Sequence, residues 1–307
     1  DDNTRVCRDV KEVGQILEQI DSLSGEVAKV EVGLVFDWEN RWALEGAEGP
    51  REEMEYEETC IRHYRQFWER SIPVDILSQE SDFSSYKLVI APMLYMLREG
   101  VGDRIKNFVR NGGTLVTTYW SGIVDENDLC FTGGFPGPLR EVLGIWSEEI
   151  DALYDGENNM MRIVNNVVLN PENSYSCRDL CALIHPEEAR VLAEYGKDFY
   201  KGRPALTVNS YGKGRAYYLA TRPEESFLKD LYTSIATDID LNYDFEVELP
   251  RGVIARRRAD YLFLFNFNRN EKRVKIPSGM VEIYSRQDKA GTGSKIGGFG
   301  VQIFKEK

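Results

Sequence analysis

The stretch Asn111–Gly122, "NGGTLVTTYWSG", decides how the chain is read. Asn111 to Gly113 form a helix stop, because glycine enters the left-handed backbone region that ends helices without steric cost. The run from Thr114 is rich in β-branched residues and suits a strand. That strand runs into Tyr119-Trp120-Ser121-Gly122, where many α/β enzymes hold a nucleophile on a sharp turn. A nucleophile elbow needs small residues on both sides of the reacting group, as in G-x-S-x-G. Here Tyr119 and Trp120 stand where glycine would be needed, so the bulky pair argues for packing and against Ser121 as a nucleophile.

Upstream, "KVEVGLVFD" (29–37) alternates apolar residues at Val30, Val32, Leu34 and Phe36, and "PVDILS" (73–78) and "KLVIAP" (87–92) are further short apolar runs. A helix, "GDRIKNFVRNGG" (102–113), precedes the quoted strand. Near-continuous apolar strands alternating with helices predict a parallel sheet covered on both faces, a doubly wound α/β domain. Its ligand edge would lie at the strand ends, where Asp37-Trp38, Pro92-Met93 and Tyr119-Trp120-Ser121 fall. "WENRWALEGAEG" reads as a polar loop. From about Pro50 a helix is expected, with Glu52, Glu53 and Glu55 at its positive end and Arg65 and Arg70 at its negative end. Met54, Glu57, Ile61, Tyr64 and Trp68 would share one face.

Downstream, "GGFPGPLREVLGIW" is a Gly/Pro loop leading to a short helix, with Pro138 near its start and Gly144 at its stop. "RPALTVNSYGKGRAYYLAT" reads as a hairpin turning through Tyr211-Gly212-Lys213-Gly214. A helix from about Glu224 to Thr237 follows. From about Tyr243 only strand and turn signals remain: "GVIARRR", "YLFLFNFN", "RVKIP", "VEIYS" and "GFGVQIF" predict a small antiparallel all-β domain. At the other end, Val6, Val10, Val13, Leu17 and Ile20 are spaced for an amphipathic helix, with Asp2, Asn3 or Thr4 as caps and Ser24-Gly25 as its stop. Its partner is expected to precede residue 1.

A chain of 307 residues suits two domains, or one large domain with an appendage, and 42% hydrophobic residues suffice for packed cores. With 51 acidic against 38 basic residues the formal charge is -13, which repels phosphate backbones and anionic lipid. Neither nucleic acid nor a membrane surface is an expected partner. No run approaches the ~20 apolar residues of a membrane span, and "DDNTRVCRDV" lacks the parts of a signal peptide. Without an initiator Met the chain is expected to be a fragment. Cys7, Cys60, Cys130, Cys177 and Cys181 are odd in number and scattered, as reduced thiols in a cytoplasmic protein would be. No second pair or nearby His completes a zinc site around Cys177 and Cys181, so neither metal nor cofactor is expected.

Other candidate residues have plainer readings. His185 in "LIHPEE" matches the base and orienting carboxylate of class I glutamine amidotransferases, whose sheet order and helix pattern this domain resembles. Yet no cysteine stands at the elbow, and His185 precedes the hairpin, so a helix start with Pro186 in its first turn is the simpler account. His63 reads as a surface or packing residue of a helix. Arg256-Arg257-Arg258 alternates through a strand and suits an exposed edge or an interface with acidic groups. "GTGSKIGG" lacks the order of a phosphate loop. Asn270-Glu271, the chain's only Asn-Glu, falls in a turn and does not suit a glycosidase carboxylate pair.

Taken together, the chain resembles the carboxy-terminal portion of glycoside hydrolase family 42 β-galactosidases. The matching stretches are "NTRV", "VGLVFDWENRWALE", "YRQFWERSIPVDIL", "GGTLVTTYWSGIVDENDLCFTGGFPGPLREVLGIW", "DFYKGRPALTVNSYGKGRAYYLAT" and "DYLFLFNFN", in the family's order. The resemblance implies residues 1–27 as the last helix of an absent (β/α)8 barrel, 28–240 as an amidotransferase-like trimerisation domain, and 241–307 as a small β domain. It also implies a homotrimer that hydrolyses β-galactosides with retention, on glutamates of that barrel. No catalytic, cofactor or metal residue carries over to this chain. Two rival readings are a hydrolase using Ser121 and His185, and a carbohydrate-binding role for Tyr261, Phe263 or Phe265.

Overall fold

The computed structural model describes residues 3–51, 54–165, 169, 173–245, 248–285 and 294–307. They fall into two units, one drawn from Asp1–Lys29, Trp68–Pro73 and Asn242–Lys307, the other from Val30–Phe67 and Val74–Leu241. Helix α1 (Arg5–Gln19) opens the first, and the Thr4 hydroxyl caps it by accepting from the Cys7 N–H at 3.2 Å. The cap candidate Asp2 lies outside the described residues.

In the larger unit, β1 (Val32–Val35), β2 (Val74–Leu77), β3 (Leu88–Ala91) and β4 (Thr114–Thr118) are parallel, as their apolar runs predict. Val32, Leu34, Val35, Leu88, Val89, Ile90, Leu115 and Val116 are all buried, each contributing about 1.5–3 kcal/mol of transfer free energy. Helix α2 (Trp38–Gly46) follows β1 where a polar loop was expected. The helix expected from Pro50 begins later, as α3 (Tyr56–Trp68); Glu52 and Glu53 lie outside the described residues. Its buried face is Tyr56, Thr59, Cys60, His63 and Phe67, whereas Glu57 and Ile61 are exposed. The apolar count favours the other face, but buried partners such as Tyr232 and Arg222 select the polar-looking one. Helix α4 (Val101–Arg110) and the short α5 (Arg140–Leu143), closed by Gly144 at φ 61°, form as read.

The sheet does not end with the parallel strands. β5 (Ile145–Ala152), β6 (Asn159–Ile163), β7 (Ser174–Pro186), β8 (Arg190–Tyr195), β9 (Pro204–Tyr211), β10 (Gly214–Leu219) and β11 (Thr221–Pro223) extend it to eleven strands, in the order β11-β7-β6-β8-β9-β10-β4-β3-β1-β2 with β5 beside β7. β10 is parallel to β4 and antiparallel to β9, so it is where the parallel half meets the antiparallel half. The sheet is mixed rather than wholly parallel. The expected β9–β10 hairpin is present, with Gly212 at φ 62° in its turn. Helix α6 (Glu225–Asp238) completes the unit. Pro186 is the last residue of β7, not the start of a helix; lacking an N–H, proline is tolerated at a strand's end.

The smaller unit carries the all-β signal of the tail. β12 (Val253–Arg258), β13 (Tyr261–Asn266), β15 (Met280–Ser285) and β17 (Val301–Glu306) form an antiparallel sheet in the order β12-β13-β17-β15, and β14 (Lys272–Val274) pairs with β16 (Ser294–Ile296). Val253, Ala255, Leu262, Leu264 and Phe304 pack with Phe245, Val274 and Ile296 in one core. β12 is an edge strand, and Arg257 pairs with Glu306 at 3.3 Å, as an exposed basic edge should.

Candidate functional site

The parallel strands point their carboxyl ends at the place where an α/β fold would hold a ligand. At the tip of β1, Asp37 caps α2: Oδ1 accepts from the Asn40 N–H at 3.0 Å and Oδ2 from the Gln79 N–H at 3.4 Å. Arg98 draws Glu39 (2.5 Å) and Glu80 (2.7 Å) around it, with Asp37 at 4.0 Å. The buried Asn40 side chain donates to Met93 O at 3.0 Å and accepts from Met96 N at 2.9 Å, tying α2 to the loop after β3.

At the tip of β4 the chemistry closes on itself. Thr117 Oγ1 donates to Ala91 O at 2.7 Å, so its single proton is used. At 3.0 Å the Ser121 hydroxyl therefore donates to Thr117 Oγ1, while accepting from the Leu94 N–H at 3.0 Å. Ser121 is buried. The left-handed backbone of the turn falls on Trp120, at φ 59°, whose ring stacks on Tyr95 at 5.8 Å. The Tyr119 hydroxyl accepts from Arg222 Nε at 2.9 Å. Arg222 is itself buried and also holds Asp179 (3.0 Å), Thr59 Oγ1 (2.9 Å), Met54 O (3.0 Å) and the Glu55 carboxylate. The strand tip is an internal clamp built on Tyr119 and Arg222.

The other candidates lie apart from this turn. His185 sits on β7, bonded to Glu148 at 2.6 Å and stacked on Trp146 at 4.3 Å, and shares no hydrogen-bond partner with Ser121. His63 is a buried packing residue whose Nδ1 meets the Tyr232 hydroxyl. Glu271 pairs with Lys295 at 2.9 Å. In the "GTGSKIGG" run, Gly291, Thr292 and Gly293 lie outside the described residues. All five cysteines are free, burial pushes the Cys60 thiol up to about 12, and Cys181 Sγ lies 3.5 Å from Thr221 Oγ1. Among the described residues, no group of three or more His, Cys, Asp and Glu side chains is arranged to hold a metal. Tyr261 is buried, with its hydroxyl 2.9 Å from Ser22, so it offers no face to a sugar; Phe263 and Phe265 are half-buried and stacked on each other.

The feature left open to solvent is aromatic. Trp38 and Trp42 stand one turn apart on α2, 54% and 60% exposed, with ring centroids 6.4 Å apart. The sequence places both indoles in an expected polar loop and not on the helix that displays them. The Arg222 clamp it missed altogether.

The family model described as "Beta-galactosidase trimerisation domain" matches residues 30–242, and that described as "Beta-galactosidase C-terminal domain" matches residues 252–306. The chain is 49% identical over 311 residues to beta-galactosidase Pbg of Clostridium perfringens, covering 100% of this chain and 45% of that protein. It is 49% identical over 279 residues to beta-galactosidase BglY of Alicyclobacillus acidocaldarius, covering 89% and 41%. The crystal structure of beta-galactosidase from Bacillus circulans sp. alkalophilus superposes with a TM-score of 0.89 at 38% identity, over 100% of this chain and 46% of that one. The chain thus spans less than half the length of these relatives.

Proposed function

The chain belongs to the glycoside hydrolase family 42 β-galactosidases, as their carboxy-terminal portion, and from that premise we propose that it assembles the enzyme without performing its chemistry. The carrying observation is the family match over residues 30–242, a domain described by its trimerisation. That region includes the strand tips, where Ser121 is spent on Thr117 and Leu94, and Tyr119 on Arg222.

In this reading the whole protein is a homotrimer that hydrolyses terminal β-D-galactosides with retention, using two carboxylates of a barrel that precedes residue 1. Helix α1 supports the division. Val6, Val10, Val13 and Leu17 form an exposed apolar stripe along it, the pattern of a helix that packs against something. Residues 1–27 are then the last helix of the barrel, 28–240 the trimerisation domain and 241–307 the closing β domain. An amidotransferase-like ancestry for the middle domain is supported by the parallel order β2-β1-β3-β4-β10 and by the left-handed turn at Trp120. Five free cysteines suit a reducing, cytoplasmic setting.

Light scattering over a concentration series tests the reading. The expected mass is three times 35.2 kDa. A particle that stays at 35.2 kDa at every concentration would remove assembly as this chain's role.

A further inference from the structure

We propose that the tryptophan pair Trp38 and Trp42 on α2 is the surface by which one copy of this chain grips a second copy. The proposal rests on the self-association reading above and names the face that reading leaves open. Both indoles are more than half exposed, at 54% and 60%, on one side of a single helix. Trp38 is also pre-set. Phe36 meets Trp38 edge-on at 5.3 Å, and the Arg41 guanidinium lies 5.2 Å over the Trp38 ring. Rings held in place before contact lose little conformational freedom on binding.

The polar groups around the pair are paired with each other. Arg41 is held by Glu45 (2.9 Å) and Glu57 (2.6 Å), and Arg98 by Glu39 (2.5 Å) and Glu80 (2.7 Å). An aromatic centre inside a rim of satisfied charges is the anatomy of a protein interface, in which tryptophan is among the commonest anchors. A sugar subsite would instead need donors and acceptors still free to meet hydroxyl groups. The occupant is a second copy because α2 lies within the 30–242 region described by its trimerisation. In a closed ring of three each copy gives this face once and receives it once, so one substitution removes all the contacts together.

The test compares the full chain with Trp38→Ala/Trp42→Ala and with Trp42→Arg by light scattering, with circular dichroism to check folding. Truncating two interface anchors should weaken association roughly 100-fold or more, leaving monomer where the wild type is trimeric, with unchanged dichroism because neither ring is in the core. Phe199→Ala, at a ring 73% exposed elsewhere in the same unit, should keep the wild-type mass. Variants at α2 that remain trimeric beside a trimeric wild type would overturn the assignment of this face alone; the occupant of the face would then be a partner other than a second copy. A wild type that is monomeric throughout would overturn the self-association reading itself, and this assignment with it.

Discussion

The Ser121 hydroxyl has no proton to give to a base: it donates to Thr117 and accepts from Leu94. Its role is to close the loop after β3 onto the tip of β4. Ser121→Ala should therefore leave any measured hydrolysis unchanged and cost about 1–2 kcal/mol in urea unfolding, the penalty for an orphaned buried N–H at Leu94. His63 provides a different signature. Burial, reinforced by the charges of Arg62 and Arg222, lowers its pKa from 6.5 to about 3. Between those values the unfolded chain takes up a proton that the fold refuses, so stability is lost as pH falls through that window and the term is absent above it. The whole window is worth on the order of 3–5 kcal/mol. Unfolding free energies measured from pH 7 to pH 4 should fall less steeply for His63→Gln than for the wild type, and equal slopes would contradict the assignment. At this scale the sequence revealed what Tyr119 and Trp120 prevent, because bulk at an elbow is visible in one dimension. It did not reveal Arg222, whose partners Met54, Glu55, Thr59 and Asp179 come from two distant segments.

Among the elements, β1, β3, β4 and α4 were legible because both of their faces or one clear stripe are apolar. Helix α2 was not: its Trp38 and Trp42 face solvent, so no inward stripe marks it, and only the capping Asp37 announced it. Strand β7, whose end reads in the sequence as a helix start at Pro186, was missed for another reason. β7 carries Asp179 at φ 69° and its register with β11 shifts near Arg222, which breaks the alternation that reveals a strand. The turn after β4 is fixed by backbone fit. Gly122 has φ 67°, and a Cβ there would lie 2.3 Å from the Pro136 carbonyl oxygen. Because neither strain nor collision involves a side chain that could swing away, Gly122→Ala should cost about 2 kcal/mol or more. Thermal unfolding checks this, and a melting temperature within a degree of wild type would contradict it.

For the whole molecule, the formal charge of -13 means that a trimer would gather three times that charge. Like charges oppose assembly, and salt screens them over roughly 10 Å at 0.1 M. Association should therefore tighten as salt is raised from about 0.01 to 0.15 M, over which the screening length shortens several-fold. Scattering mass at a fixed low protein concentration reads this directly, and a mass that falls with salt would show that attractive ion pairs dominate the contact. The division into an α/β part and a β tail was legible from periodicity alone, whereas the mixed character of the sheet depended on pairings between remote segments.

One of those pairings governs how the chain must be made. β4 ends at Thr118 and its second neighbour, β10, begins only at Gly214, about 95 residues later. A ribosome adding roughly 5–20 residues per second leaves one side of β4 uncovered for on the order of 5–20 s. Throughout that interval Thr114–Thr118 presents bare N–H and C=O groups beside apolar side chains, and neighbouring nascent chains on the same message carry the identical edge. A chain stalled within that interval should therefore aggregate more readily than the finished one, through a single five-residue strand.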